Sequence, residues 1–313
     1  RQEDGAEEVP TPEPPDKPTT ILGDIYTLGD HRLMCGDSSV PGDLDKLLLG
    51  AKIHLVHMDP PYNVFVDPAG DAAGGDSWRS GKHQRAAGVK VSKKSDKPTR
   101  GAMAKDRPLK NDFMTDADFE AILAKWYDNA QRVMEPGASF YIWGGYANTE
   151  NYRVALRNSG LYFAQAIIWN KNHAVINRKD FMTKHEWCFY GWKEGAGHHF
   201  YGPNNVPDVW DVNKVPHQSM VHLTEKPVEL AARAVRYSSM PGQNVLDLFG
   251  GSGSTLVACE QLGRRAYLME LDEAYTQVIL QRWMEMTGRD ATLLRGDDEI
   301  SCRELLRDSL RKA

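Results

Sequence analysis

The chain has 313 residues, 41% of them hydrophobic, enough for one large domain or two small ones with a real core. No apolar run approaches the roughly 18 residues of a membrane span, which excludes a membrane helix, and a net charge of −5 is at first sight wrong for a nucleic-acid partner. The cysteines Cys35, Cys188, Cys259 and Cys302 show no CxxC spacing, so a zinc site or disulfide framework is not expected, and a reducing cytoplasm fits.

The charge is unevenly spread. Residues 1–24 hold seven acids against Arg1 and Lys17, which accounts for the whole net charge. Residues 1–20, "RQEDGAEEVPTPEPPDKPTT", are acidic and Pro-rich, and are expected to be a disordered linker. Residues 21–300 then form one domain, and 301–313 a C-terminal helix or tail. "KIHLVHMD" (52–59) reads as a strand buried on both faces. Residues 67–110 have no periodicity, and between 79 and 110 they carry eleven Lys or Arg against only Asp96 and Asp106. Such a loop in a compact domain is functional or disordered.

Thr115 and Asp118 open a helix whose apolar stripe is Phe119, Ile122, Leu123, Trp126 and Tyr127, with Pro136-Gly137 expected to end it. "ASFYIWGG" (138–145) and "YFAQAIIWNK" (162–171) are strand-like, whereas 172–221 mix aromatics, His and Asn without a clear period. "TEKPVELAARAVRYSS" is a helix capped by Thr224 with Pro227 in its first turn. "NVLDLFGG", "STLVACEQLG", "RRAYLMEL" and "DEAYTQVILQRWMEMTG" follow as strand, helix, strand and helix, the last bounded by Asp272 and Gly288. The alternation predicts an α/β fold, a Rossmann-like doubly wound and mostly parallel sheet with helices on both faces, plus a small irregular insertion.

Two stretches carry chemistry. In "DLFGGSGST" (247–255), Gly251 and Gly253 let the backbone approach a ligand at the carboxyl end of a strand, and Glu270, 17 residues after Gly253, can accept hydrogen bonds from two ribose hydroxyls. The lysine of a phosphate-binding P-loop is missing, which disfavours ATP. In "HMDPPYNV" (57–64), Pro60 and Pro61 remove two backbone donors and stiffen the carbonyls around them. Asp59 adds a carboxylate and Tyr62 a flat face. Two convergent acceptors beside a stacking ring match an exocyclic amino group on a flat heterocycle.

The tetrapeptide Asp59-Pro60-Pro61-Tyr62 preceding "DLFGGSGST", together with "LGDHRLMCGDS" (28–38), "HLTEKP" (222–227) and "LMELD" (268–272), resembles the β class of amino DNA methyltransferases. These enzymes modify adenine N6 or cytosine N4 using S-adenosylmethionine. The resemblance covers about residues 22–296 and is strongest to phage- and prophage-type members, often fused to a ParB-like nuclease domain and related to restriction-modification systems. It implies that Asp59 and the Pro60 carbonyl bind the target amino group, with Pro61 completing the motif, and that Tyr62 stacks on an extruded base. It implies that Asp247, Phe249, Gly251 and Gly253 surround the cofactor, that Glu270 holds its ribose, that Lys226 pairs with its carboxylate and that Asp37 contacts its adenine. It further implies double-stranded DNA as partner, 172–221 as target-recognition region, and a homodimer as one assembly, since many relatives are dimers.

An amino nitrogen on a nucleobase is a poor nucleophile, and hydrogen bonds from it to Asp59 and Pro60 favour a pyramidal form. A base inside a duplex must be flipped out at a cost of a few kcal/mol. Phosphate contacts from the basic loop, with Lys90, Lys93, Lys94, Lys97 and Arg100 as candidates, can offset that cost. A cytosine-C5 mechanism would require a nucleophilic cysteine after proline, and no cysteine here follows one. Trp169, Trp187, Trp192 and Trp210 read as core, and His185, His198 and His199 have no metal-ligand pattern. Adenine N6 is the expected target, because cytosine-N4 members more often carry Ser in place of Asp59. Cytosine N4 is the alternative, ahead of an RNA or protein-amide methyltransferase or a non-catalytic DNA-binding module.

Overall fold

The computed structural model describes residues 6–63, 114–175, 180–215 and 225–307. The basic loop, with Lys90, Lys93, Lys94, Lys97 and Arg100, lies outside the described residues, as does Thr224.

The strands are β1 (Ile25–Leu28), β2 (His31–Cys35), β3 (Ile53–Met58), β4 (Met134–Gly144), β5 (Leu161–Val175), β6 (Thr183–Lys193), β7 (Val209–Asp211), β8 (Asn244–Asp247), β9 (Arg265–Glu270), β10 (Thr292–Arg295) and β11 (Asp298–Ser301). They form one sheet in the order β11-β10-β1-β2-β9-β8-β3-β4-β6-β5-β7. The helices are α1 (Pro41–Leu48), α2 (Asp116–Val133), α3 (Thr149–Asn158), α4 (Val228–Ser238), α5 (Ser254–Leu262), α6 (Glu273–Thr287) and α7 (Cys302–Leu305). Among the described residues no helix is long and apolar enough to cross a membrane.

The centre of the sheet, β2-β9-β8-β3-β4, is parallel, as the strand–helix alternation requires. The flanks are not: β1, β10 and β11 pair antiparallel on one side, and β4-β6 and β6-β5 on the other. With β5 and β7 pairing parallel again at the outer edge, the sheet is mixed, and its unbroken parallel stretch is the middle. Successive side chains of β3 point to opposite faces. Leu55 joins a core with Leu230, Val235, Leu256 and Ile279 from α4, α5 and α6. Val56 and Met58 join a second core with Leu44, Phe119, Trp126 and Ala155 from α1, α2 and α3. Helices thus cover both faces, and the continuous apolar run of β3 follows from that double burial.

Four local expectations need correction. Helix α2 starts as expected, with Thr115 accepting from the Asp118 N–H, but it ends at Val133, and Pro136-Gly137 lie inside β4. Gly137 takes φ +84°, and a Cβ there would meet the Gly197 carbonyl oxygen at 2.4 Å, so this glycine serves a close backbone approach. Helix α4 starts at Val228 with Pro227 at its N-cap position, so Pro227 precedes the first turn and does not lie in it. The region 172–221 is not wholly irregular, since β6 lies inside the main sheet between β4 and β5.

The fourth concerns the segment read as a disordered linker. Residues 6–20 adopt no helix or strand, yet they run as a strap against α4, α5 and α6. The Glu8 carboxylate accepts from the Val228 N–H at 2.7 Å, satisfying the open start of α4. Thr11 donates to buried Glu225 at 2.6 Å, Arg282 donates to the Val9 carbonyl at 2.7 Å, and the Thr19 N–H donates to Gln277 at 2.9 Å. Specific polar partners order a segment whose composition buries little apolar surface.

Candidate active site

Parallel register gathers the candidate residues at one edge of the sheet. Val56 is level with Leu246, Asp247 with Leu268, and Cys35 with Glu270. Asp59 directly follows β3, Phe249 lies two residues past β8 and Asp37 two residues past β2, all at the edge where Glu270 ends β9. The chain leaves β8 toward β9 on one side and β3 toward β4 on the other, so the crevice between β8 and β3 is a topological switch point, where ligands of open α/β sheets bind.

On the β8 side the chain turns sharply. Gly251 and Gly253 take φ +53° and +87°, and Gly253 donates back to the Gly250 carbonyl at 2.8 Å before α5 begins. Glu270 spans this turn: Oε2 accepts from the Gly251 N–H at 2.7 Å and Oε1 from the Asp272 N–H at 2.8 Å. Burial pushes its carboxyl up to about 7, against the pull of those two N–H groups. Asp247 is more enclosed, accepting from Thr255 Oγ1 at 2.6 Å and the Phe249 N–H at 2.9 Å, and burial raises it to about 8. Phe249 packs edge-on against Trp126, with ring centroids 4.7 Å apart. The Asp37 carboxylate accepts from the Ser39 N–H at 2.8 Å.

A buried polar chain ties the two walls together. Trp143 Nε1 donates to His57 Nε2 at 3.1 Å, His57 Nδ1 is 3.0 Å from Thr255 Oγ1, and Thr255 donates to Asp247. Because Nε2 accepts, the ring proton sits on Nδ1. Burial, reinforced by the Lys226 charge, lowers His57 to about 3 and keeps it neutral.

On the β3 side, Asp59 follows the strand directly. Lys226 Nζ donates to Asp59 Oδ2 at 2.8 Å, and the Tyr62 hydroxyl donates to Asp59 Oδ1 at 2.9 Å. The same ammonium reaches Tyr62 Oη at 3.0 Å and Glu186 Oε2 at 3.1 Å. Glu186 also pairs with Lys171 at 2.5 Å. Asn148 donates to the Tyr62 carbonyl at 2.7 Å and Asn63 pairs with the Met114 backbone, which pins the chain on both sides of the tyrosine. Burial raises the Asp59 carboxyl, opposed by Lys226 and assisted by Glu186. Burial acts on Glu186 as well, but Lys226 and Lys171 outweigh it and hold that carboxyl at about 2.

Asp59, Tyr62 and Lys226 therefore lie together, as do Asp247, Gly251 and Glu270, on facing walls. Lys226, given a cofactor-carboxylate role by sequence resemblance, belongs to the Asp59 wall, and its three donor positions meet three protein oxygens. Sequence reading missed Glu186, Lys171, His57 and Thr255. The signal for Glu186 was the aromatic-rich apolar run in "HEWCFYGW", which reads as a strand once the aromatics are counted as sheet formers. All four cysteines are buried and unbridged, and burial pushes the Cys35 and Cys302 thiols up to about 12. Among the described residues no group of His, Cys, Asp or Glu is arranged to hold a metal ion.

The sequence pattern of the DNA methylase family N6_N4_Mtase matches residues 53–281. The Type II methyltransferase M.SmaI of Serratia marcescens is 35% identical over 142 residues, which is 41% of this chain and 48% of that protein. The chain spans about half the length of the curated relatives it matches. The structure of an M1.HpyAVI-SAM complex aligns over 80% of this chain and 97% of its own, with a TM-score of 0.56 at 18% identity. PvuII DNA methyltransferase, described as cytosine-N4-specific, aligns over 94% of both chains with a TM-score of 0.57 at 14% identity. These two likenesses concern the fold. The family match runs from β3 into α6 and takes in both walls of the crevice: this chain belongs to the N6/N4 DNA methylase family.

Proposed function

We propose that the chain transfers a methyl group from S-adenosylmethionine to the N6 amino group of an adenine flipped out of double-stranded DNA. The observation that carries this reading is the crevice itself, which sets the Asp59-Pro60-Pro61-Tyr62 wall against the glycine turn and Glu270.

The residues present suit the cofactor. An ionised carboxylate has about four acceptor positions. The Gly251 and Asp272 N–H groups bond to Glu270, the Leu271 N–H adds to their pull, and its burial favours a further donor such as a ribose hydroxyl. When bound, S-adenosylmethionine supplies a methyl group already activated as a sulfonium. Asp59 and the Pro60 carbonyl hold the amino nitrogen so that its lone pair is localised along the line of attack. The nitrogen would take the methyl as the S–C bond breaks and the sulfonium sulfur becomes a neutral thioether, and it would pass its surplus proton to Asp59, whose carboxyl is raised, whereas Glu186 is locked as an anion by two ammonium groups. The Tyr62 ring stacks on the extruded base. Positioning of this kind supplies much of a transfer rate without a covalent enzyme intermediate.

Lys90, Lys93, Lys94, Lys97 and Arg100 follow the catalytic wall in sequence and supply the phosphate contacts in this reading. Asp59 in place of Ser supports adenine. The likeness to a cytosine-N4-specific enzyme supports the second reading, cytosine N4. Nucleoside mass spectrometry of DNA treated with the protein and cofactor decides between them. N6-methyladenine at one short recurring sequence is expected; N4-methylcytosine alone would replace adenine with cytosine as the target, and unmodified DNA would sink both.

A further inference from the structure

Glu186 is the crevice group that no motif accounts for. It sits on β6 opposite Trp169 of β5, just beyond the last β4 pairing of its strand at Trp187. Its carboxylate lies between two ammonium groups, Lys171 at 2.5 Å and Lys226 at 3.1 Å, both lysines being 6% exposed. With Asp59 the ion-paired groups are two cations and two anions, and Lys214 acts on Lys171 and Glu186 from beside them.

A lysine ammonium is a compact charge on a flexible four-carbon stem. Offered to Asp59 alone, it would swing between the two carboxylate oxygens. Held between Asp59 Oδ2 and Glu186 Oε2, with Tyr62 Oη as its third acceptor, it has one place to sit. Lys171 matters because it occupies the other oxygen of Glu186, so that Glu186 shares Lys226 with Asp59 and does not capture it.

We propose that Glu186 and Lys171 are positioning residues for methyl transfer: the β5–β6 pair fixes the Lys226 ammonium on Asp59, and so holds the carboxylate that receives the target amino group. The assignment rests on the reading of Asp59 given above. It predicts opposite electrostatic effects from the two positions. Asp59 faces Lys226 before α4, Glu186 and Cys188 on β6, Asp247 on β8, and His57 and Tyr62 on its own stretch, with Lys171 of β5 acting through Glu186. Glu186→Gln removes an anion facing Asp59 and leaves it Lys226 undivided, so Asp59 protonates at lower pH. Lys171→Met leaves Glu186 underpaired and drawing on Lys226, so Asp59 protonates at higher pH.

The test is the pH profile of methyl transfer to DNA by the full chain, with cofactor binding and thermal unfolding measured alongside. Both variants should lower kcat on the order of 10- to 100-fold with little change in cofactor affinity, the scale expected of a small misplacement. The acid limb should move down in pH for Glu186→Gln and up for Lys171→Met. Lys171→Arg, which keeps the charge, should retain the wild-type limb and guards against a fold defect in Lys171→Met. Limbs unmoved, or moved in the same direction, would overturn the assignment even if kcat falls. A wild-type chain that methylates no DNA would overturn the functional reading, and this assignment with it.

Discussion

Lys226 and Asp59 are separated by 167 residues in the chain and by 2.8 Å in space. One stands just before α4 and the other just after β3, so the ion pair forms only when the two halves of the sheet meet. The same contact ties the Asp59 wall of the crevice together, apart from the wall formed by the glycine turn and Glu270.

Asp59→Ala should reduce methyl transfer at least on the order of a hundredfold, the scale seen when a group positioned on the reacting atoms is removed. Cofactor affinity should stay near wild type, because among the described residues Asp59 bonds to Tyr62 and Lys226 on its own wall. Single-turnover transfer and equilibrium binding of labelled cofactor check the two halves, and retained turnover would refute the role of Asp59.

Glu270→Ala should act in reverse, weakening the cofactor first. Each hydrogen bond to a charged group contributes about 1.5–3 kcal/mol, so losing even one ribose contact implies at least tenfold weaker binding. Burial raises the Glu270 carboxyl to about 7, and the ionised form is the stronger acceptor for a ribose hydroxyl. Wild-type affinity should therefore climb from about pH 6 to 8, as that single group titrates. A flat affinity profile, or unchanged affinity in the alanine variant, would remove the ribose assignment.

Asp247 should make the ligand-free protein less stable as pH rises. Its carboxyl moves from an ordinary 3.8 to about 8 on folding, because of burial. The folded chain thus holds a proton that the unfolded chain has released, and stability falls with pH across that interval. Glu270, raised from 4.5 to about 7, adds to the slope over its own narrower window. Melting temperatures of wild type and Asp247→Asn, measured from pH 5 to 8.5, should show a shallower decline in the variant (a range set by the linkage between roughly pH 4 and 8). Parallel curves would show that Asp247 does not titrate there.

The strap should contribute to stability through named contacts. Glu8→Ala leaves the Val228 N–H at the start of α4 without its carboxylate, and Thr11→Ala takes a donor from Glu225. Each should cost about 1 kcal/mol, the usual scale of a helix-cap or buried hydrogen bond. Denaturant unfolding of the two single variants measures this, and wild-type midpoints would show the strap to be idle.

Much of this architecture was legible in the residues. The buried strand at 52–59, the capped helix at Thr115 and the glycine turn after β8 each rest on local rules, because double burial, capping and positive φ leave marks on the sequence itself. What escaped depends on partners far along the chain. Lys171 and Glu186 read as ordinary strand-end charges until β5 and β6 pair them and the fold delivers Lys226. The strap was misread for a related reason. Low apolar content argues against self-ordering, but Glu8 and Thr11 order themselves on helix ends and buried acids that composition does not count.

The β5–β6 pair links two tasks that protein engineers would prefer to separate. Its outer part belongs to the region assigned to target recognition, yet the residues gripping the Lys226 ammonium, Lys171 and Glu186, stand on the same two strands. A recognition segment transplanted from another methylase with junctions inside that grip would import a foreign charge pair beneath Asp59. Junctions placed after Lys171 and before Glu186 keep the grip native, so the splice point is a design variable in its own right.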